Sequence, residues 1–162
     1  MRGANRTGLP FTGDASGDLL FKTLSKFNLL TRPYQPGGQD QADLKNVMIT
    51  NAVRCVPPQN KPTGAEINNC RAFLTGRLAT LPKLKAVIIL GRVAHISTLR
   101  ALGLKLKDAP FSHGATAHTE IENGPILLIS SYHCSRYNVN TRRLTEEMFD
   151  AVFTTATEHL AS

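Results

Sequence analysis

One histidine of this chain, His133, stands where chemistry is expected. It comes shortly after the apolar run Ile126–Ile129, which is typical of a buried strand in an α/β sheet. Open α/β sheets bind their ligands just beyond the carboxyl ends of their strands. The segment that follows, Cys134–Asn138, is short, polar and basic, and it suits contact with an anion. The pattern therefore predicts chemistry beside a polyanion rather than a histidine packed in a core.

The overall charge agrees with such a partner. The chain has 19 Lys and Arg against 12 Asp and Glu, a net charge of +7 at pH 7. A basic balance favours nucleic acid or another polyanion. The alternative is a basic protein with no polyanionic partner, and charge alone leaves both open.

Chain length and cysteine content predict the number of domains and the cellular compartment. The 162 residues predict a single domain over 1–162 with one core and no need of disulfides. Three cysteines at wide spacing, without a secretory signal, predict a cytoplasmic, nucleoid-associated protein. No segment approaches the roughly 20 apolar residues of a membrane span. We expect a monomer.

Hydrophobic periodicity predicts alternating helices and strands after a loop at 2–14. Asp14 or Ser16 is the expected N-cap of the first helix, and Thr63 with Glu66 forms a capping box for the second. Residues 105–124, which include His113 and His118, are expected to be irregular. The predicted elements are a helix from about Asp14 to Leu30, a strand over Val47–Val53, a helix from Thr63 to about 80, a strand over Lys85–Gly91, a helix over Arg92–Leu102, a strand over Ile126–Ile129 and a helix over about 142–160.

This alternation predicts an α/β fold with a mostly parallel sheet covered on both sides. The predicted strands are fewer than a sheet usually has. The sequence also opens in a loop with no strand before it, so the first strand is expected to be missing.

Four motifs in order resemble the uracil-DNA glycosylase superfamily, specifically its type-5, iron–sulfur branch. The type-4 branch is similar but usually has Pro after the late histidine, where this chain has Cys134. The resemblance implies a three-layer α/β/α sandwich and hydrolysis of the N-glycosidic bond of uracil and other deaminated bases in DNA. The motifs are Gly3–Gly8 with Pro10–Asp14, Asn51–Thr63, Leu90–His95, and Ser131–Arg136 with Asn140 and Thr141.

Within this resemblance, His133 and Asn51 are the expected catalytic and base-binding residues. A donor fixed beside the O2 oxygen of the departing uracil stabilises the transition state more than the ground state. The Asn51 carboxamide offers a donor and an acceptor, which match the O4 and N3–H edge of an extruded uracil. The alternatives are a histidine that caps a strand end and an asparagine that forms a turn.

Phe11 and Asp14 are the other candidates near the substrate. The Phe11 ring could stack on an extruded base, or it could anchor its loop in the core. The Asp14 carboxylate could orient the attacking water and stabilise an oxocarbenium-like sugar. Its competing role is the helix N-cap.

The expected partner is DNA that contains deaminated bases. Phosphate contacts are assigned to basic and polar residues around the motifs, because such contacts position a duplex. For the residues that follow His133, the alternative is that they only form the solvent-exposed start of a helix. The assigned residues are Arg6, Arg136, Asn138 and Arg142, with Arg54, Asn140 and Arg143 as further candidates.

The resemblance also implies a [4Fe–4S] cluster, for which thiolates are the usual ligands. Cys55 and Cys70 match one half of its cysteine set, and the other half is expected upstream of Met1. Cys134 belongs to the His133 motif and is expected at the substrate site instead. Two unrelated thiols are the alternative. Since a strand, a helix and two cysteines are expected before Met1, this chain alone is expected to be unstable and weakly active.

The sequence is compatible with three functions. The first is a monofunctional glycosylase, since no lysine stands out as a Schiff-base nucleophile. The second is a truncated remnant that binds DNA without catalysis. The third is a nucleotide-binding α/β module, against which no Gly-rich phosphate fingerprint follows a strand.

Overall fold

The computed structural model describes residues 11, 13–35, 43–52 and 64–162. These residues form helices and strands that alternate for much of the chain, and the α/β class is confirmed. The elements are α1 (Ala15–Lys26), α2 (Gly64–Ala79), β1 (Ala86–Leu90), α3 (Arg92–Ala101), β2 (Thr116–Ile121), β3 (Gly124–Ser131), α4 (Arg136–Asn140) and α5 (Glu146–Ala161).

The chain divides into two compact units, one with residues up to Ile49 and His133–Thr154, the other with Thr50–Tyr132 and Thr155–Ser162. The prediction of one domain over the whole chain stays a prediction. Within the described residues, no helix has the length and apolar character that crossing a membrane requires.

The second unit contains a three-stranded sheet in the order β1-β3-β2. β3 is parallel to β1, with Leu90 opposite Ser131 at the end of the pairing. β3 is antiparallel to β2, and Ile121 pairs with Gly124 across a two-residue turn. Gly124 has φ 109°, a conformation that L-residues rarely adopt.

The core of this unit is built on β3, whose residues 126–131 are all buried. A strand buried on both faces needs a continuous apolar run, which Ile126–Ile129 supplies. Ile89 of β1 and Leu99 of α3 pack with Ile126 and Leu128 in one cluster. α3 can begin directly after β1 because Gly91 turns the chain with φ 92°.

In the first unit, α1 and the first half of α5 contribute a second set of buried side chains. Phe153 contacts Phe149 and Phe27, with ring centroids 5.2 Å and 5.7 Å apart. At the surface, Lys22 pairs with Glu146, and exposed pairs of this kind add little stability. The buried residues shared by this core are Leu20, Leu24, Leu144, Phe149, Val152 and Phe153.

Most predicted elements are confirmed with small shifts at their ends. Asp14 is the N-cap of α1, since its Oδ1 accepts from the Gly17 N–H at 2.9 Å. α2, β1 and α3 match their predicted ranges closely. Thr63 of the predicted capping box, and Val53 at the end of the second predicted element, lie outside the described residues.

Two predictions about elements are wrong. Val47–Ala52 form no strand, although their apolar run suggested one. Residues 105–124 are not wholly irregular, because Thr116–Ile121 form β2 and Gly124 begins β3. The side chains of β2 alternate between exposed and half-buried, and its polar residues hid that period of two. The described sheet is consequently mixed, with one parallel and one antiparallel pairing.

The last helix also starts later than predicted, at Glu146, since Thr145 Oγ1 accepts from the Met148 N–H at 3.2 Å and caps it. Residues 142–145 are not helical, and the separate short helix α4 ends before them at Asn140. Its N-cap is Ser135, whose Oγ accepts from the Asn138 N–H at 3.3 Å.

Replacing Leu99 by Ala should lower the free energy of unfolding by about 2–5 kcal/mol, because Leu99 is fully buried and the change leaves a cavity. Leu160→Ala is the matched control, since that side chain is 55% exposed and should change stability by less than about 1 kcal/mol. Chemical denaturation measures both. Equal losses in the two variants would contradict the assigned core.

Candidate active site

His133 begins the segment that leaves β3. The exits of the two parallel strands are joined before it, because the Gly91 N–H donates to the Ser131 carbonyl at 2.8 Å. His133 follows Ser131 by two residues, so the chain carries it past the carboxyl end of the sheet. The sequence placed it there, and this placement is confirmed.

Asn138 fixes the backbone of His133. Its Nδ2 donates to the His133 carbonyl oxygen at 2.8 Å, and its own carbonyl accepts from the Leu144 N–H at 3.0 Å. The segment from His133 to Asn138 is therefore closed into a compact loop. The predicted phosphate contact of Asn138 stays a prediction, but one of its amide hydrogens is already used within the protein.

The electrostatic surroundings of His133 favour its neutral form. The ring keeps solvent-exposed surface, yet the protein atoms around it lower its pKa below the usual 6.5, and the Asp14 carboxylate opposes this shift only in part. The imidazole is therefore mainly neutral at pH 7. A neutral imidazole has one N–H to donate and one nitrogen to accept.

Asp14 lies close enough to act on both His133 and Cys134. It is exposed, and one of its oxygens caps α1. The structural role that competed with catalysis is thus confirmed, while the second carboxylate oxygen keeps its lone pairs. Capping and electrostatic action on His133 are compatible in this geometry.

Cys134 is buried against the start of α1. Its Sγ donates to the Ser16 carbonyl at 3.5 Å. Burial raises the pKa of the thiol to about 11, a backbone hydrogen bond opposes this, and the Asp14 charge adds to it. A thiol of this kind stays protonated at neutral pH and is a poor nucleophile. Its place in the structure is a packing contact that anchors the loop after His133.

Phe11 and Asn51 are two of the residues predicted to bind the base. Phe11 is half-buried and has φ 62°, a strained conformation for a bulky residue. Such strain persists where the surroundings impose it, often at functional sites. Asn51 is exposed and belongs to the second unit. It ends no strand, so the predicted reason for its position is wrong, and its convergence with His133 stays a prediction.

The basic residues fall into two groups. Arg136 opens α4, and Arg142 follows it with φ 56°. Both side chains are exposed, as is Arg143, which is what a phosphate contact requires. Arg6 and Arg54 lie outside the described residues.

The cysteines predicted to bind metal are only half described. Cys70 is buried on α2, and Cys55 lies outside the described residues. Among the residues that the structure describes, no group of three or more His, Cys, Asp or Glu could hold a metal ion. The described residues therefore do not form a cluster site by themselves.

Sequence reasoning assigned no role to His113, which reaches the same strand exit. Its Nδ1 lies 3.2 Å from the Tyr132 backbone nitrogen. No local pattern in the sequence marks such a contact, because its partner is a backbone N–H distant along the chain.

The chain is similar to several known uracil-DNA glycosylases. A type-5 uracil-DNA glycosylase of Thermus thermophilus is 45% identical over 147 residues, which are 91% of this chain and 65% of the relative. A type-5 enzyme of Pyrobaculum aerophilum is 42% identical over 90% of this chain and 61% of the relative. A type-4 uracil-DNA glycosylase of Saccharolobus solfataricus is 29% identical over 90% of this chain and 62% of the relative.

The chain thus spans slightly less than two thirds of the length of these relatives. Its similarity is greater to the two type-5 proteins than to the type-4 protein, as the motif with Cys134 after His133 predicted. The family model described as the uracil DNA glycosylase superfamily matches residues 1–157. The motifs, the α/β fold and this match over nearly the whole length agree, and the chain belongs to the uracil DNA glycosylase superfamily.

Proposed function

We propose that the protein removes uracil and other deaminated bases from DNA by hydrolysing the N-glycosidic bond. The observation that carries the proposal is His133, an imidazole of lowered pKa on the loop that leaves β3. The names of the type-5 relatives support the same reaction.

The reaction breaks the bond between the sugar C1′ and the base nitrogen. The bonding electrons leave with the base, and their negative charge collects on O2 of uracil. The neutral imidazole of His133 would donate a hydrogen bond to that oxygen. One donor of this kind, already in place, lowers a barrier by about 3 kcal/mol.

Water completes the reaction at C1′. Its oxygen bonds to the carbon that the base has left, and one of its protons must be removed. The Asp14 oxygen that is not used for the N-cap could accept this proton. The carboxylate charge would also stabilise positive charge on the sugar, as carboxylates do in other glycoside hydrolyses.

Recognition of the base is assigned to Asn51 and Phe11. The Asn51 carboxamide would pair with the O4 and N3–H edge of an extruded uracil. The Phe11 ring would stack on the base face, a contact of about 1–3 kcal/mol. Their exposure, complete or partial, leaves surface for these contacts.

DNA is the proposed partner, and the positive charge of the chain supports it. Arg136 and Arg142 are exposed near the His133 loop along the chain, where they would neutralise phosphates. Arg6 and Asn138 are proposed as further backbone contacts. These contacts orient the duplex without reading its sequence.

A structural [4Fe–4S] cluster is proposed for the whole protein, with Cys55 and Cys70 as two of its thiolate ligands. The buried position of Cys70 agrees with a ligand shielded from solvent. No step of base removal passes through this group. The proposed chemistry depends only on His133, Asp14 and Asn51.

His133→Ala should slow release of uracil from DNA about 100-fold or more, because it removes the donor to O2, while affinity for plain duplex stays unchanged. Single-turnover kinetics and a binding titration measure the two quantities. His118→Ala, on the exposed face of β2, is the matched control and should keep the wild-type rate. A wild-type chain that binds duplex but releases no base would favour the remnant function, and full activity in His133→Ala would remove His133 from the mechanism.

Asp14→Asn should lower the pKa of His133 further, since it removes a carboxylate that raises it. Asn also serves as an N-cap, so α1 should remain intact. The imidazole titration followed by NMR gives the pKa in both proteins. We expect a wild-type pKa below 6.5 and a lower one in the variant, whereas an unchanged or higher value would show that Asp14 does not act on His133.

A further inference from the structure

The peptide that precedes His133 has an unusual hydrogen-bond partner. The ladder between β1 and β3 ends with Leu90 opposite Ser131. The next backbone N–H, of Tyr132, donates to His113 Nδ1 at 3.2 Å. The two rings also lie together, with centroids 5.1 Å apart and planes 30° apart. His113 thus continues the hydrogen bonding of β3 by one residue beyond the ladder.

This contact fixes the tautomer of His113. A backbone N–H can only donate, so Nδ1 must accept and carries no hydrogen. The hydrogen of the neutral ring is then on Nε2. Ser131 Oγ lies 3.4 Å from the same nitrogen and donates to the Tyr132 carbonyl at 2.9 Å.

The segment that carries His113 is tied to β3 at further points. The Gly114 N–H donates to the Ser130 carbonyl at 2.7 Å. His95 bridges the same two parts of the chain, because its Nε2 donates to the Ala109 carbonyl and its Nδ1 is hydrogen-bonded to Ser130 Oγ, each at 2.9 Å. His95 is 3% exposed, so this bridge is shielded from water.

An aromatic ring fills the space within this segment. Phe111 lies between His95 and Tyr132, with ring centroids 5.3 Å and 6.2 Å away. Each of the last residues before His133 is therefore held by a side chain or backbone group from 95–114. Such packing restricts rotation of the Tyr132 peptide.

We propose that His113 is a positioning residue for base removal, which acts by fixing the Tyr132 peptide and hence the direction in which the chain enters His133. The inference rests on the proposed function of His133. In this role the imidazole of His113 does not touch the base. Without its acceptor, the Tyr132 peptide can turn, and a displacement of about 1 Å in a catalytic group costs up to about 100-fold in rate.

Two isosteres separate an acceptor role from simple filling of space. The Asn side-chain oxygen comes close to the position of Nδ1, whereas the Gln oxygen comes close to that of Nε2. His113→Gln should slow single-turnover release of uracil about 10- to 100-fold, with unchanged affinity for uracil-containing DNA. His113→Asn should keep the rate within about fivefold of wild type.

Thermal unfolding of both variants is measured alongside, since a structural role alone would lower their stability together and leave no difference in rate. Equal rates in His113→Gln and His113→Asn, whether fast or slow, overturn the proposal. The acceptor role is also tested in the wild-type protein by ¹⁵N NMR of the His113 ring. A hydrogen on Nε2 is expected, and a hydrogen on Nδ1 overturns the proposal even if neither variant folds.

The outcomes distinguish this inference from the proposed function. If His133→Ala retains the wild-type rate, the function assigned to His133 fails, whatever the His113 variants do. If His133→Ala is inactive and both His113 variants match the wild type, only the positioning role fails.

Discussion

Burial of β3 on both faces is the constraint on which the rest of the site depends. Ile126–Ile129 can remain out of water only if β3 is paired on both edges and covered on both faces. That pairing fixes the register, with Ser131 opposite Leu90 of β1 at one end of β3 and Gly124 opposite Ile121 of β2 at the other. The exit of β3 is then determined, and with it the point where the chain turns toward His133.

The second constraint is electrostatic and concerns two adjacent residues, the basic His133 and the weakly acidic Cys134. Protein atoms around His133 and Cys134 favour the uncharged form of each, since burial disfavours charge of either sign. Asp14 is the charge nearby that acts on both. A neutral imidazole donor beside one carboxylate suits a reaction in which negative charge develops on the base and positive charge on the sugar.

Strongly periodic segments could be predicted from the sequence, and segments ordered by distant partners could not. β3 and α3 were clear because their apolar residues are local and continuous. β2 was missed because His118 and Glu120 occupy its exposed face and leave only small or half-buried residues inward. The strand predicted over 47–53 is absent in its described part, 47–52, because an apolar run alone does not secure a pairing partner.

In the candidate site, too, features set by the local sequence could be predicted and features set by distant partners could not. The position of His133 past a strand follows from the sequence, and so does the cap formed by Asp14. The hydrogen bond from Asn138 to the His133 carbonyl and the contact of His113 with the Tyr132 N–H could not be predicted. Both depend on backbone groups whose direction is set only when the chain has folded.

The most direct test of the central claim is a structure of the protein with DNA that carries a uracil nucleotide resistant to hydrolysis. We predict one extruded base, with a ring nitrogen of His133 about 2.7–3.2 Å from O2 and the Asn51 carboxamide at the O4 and N3–H edge. An extruded base that neither side chain contacts, or one bound by Asn51 with His133 turned away from O2, would contradict it.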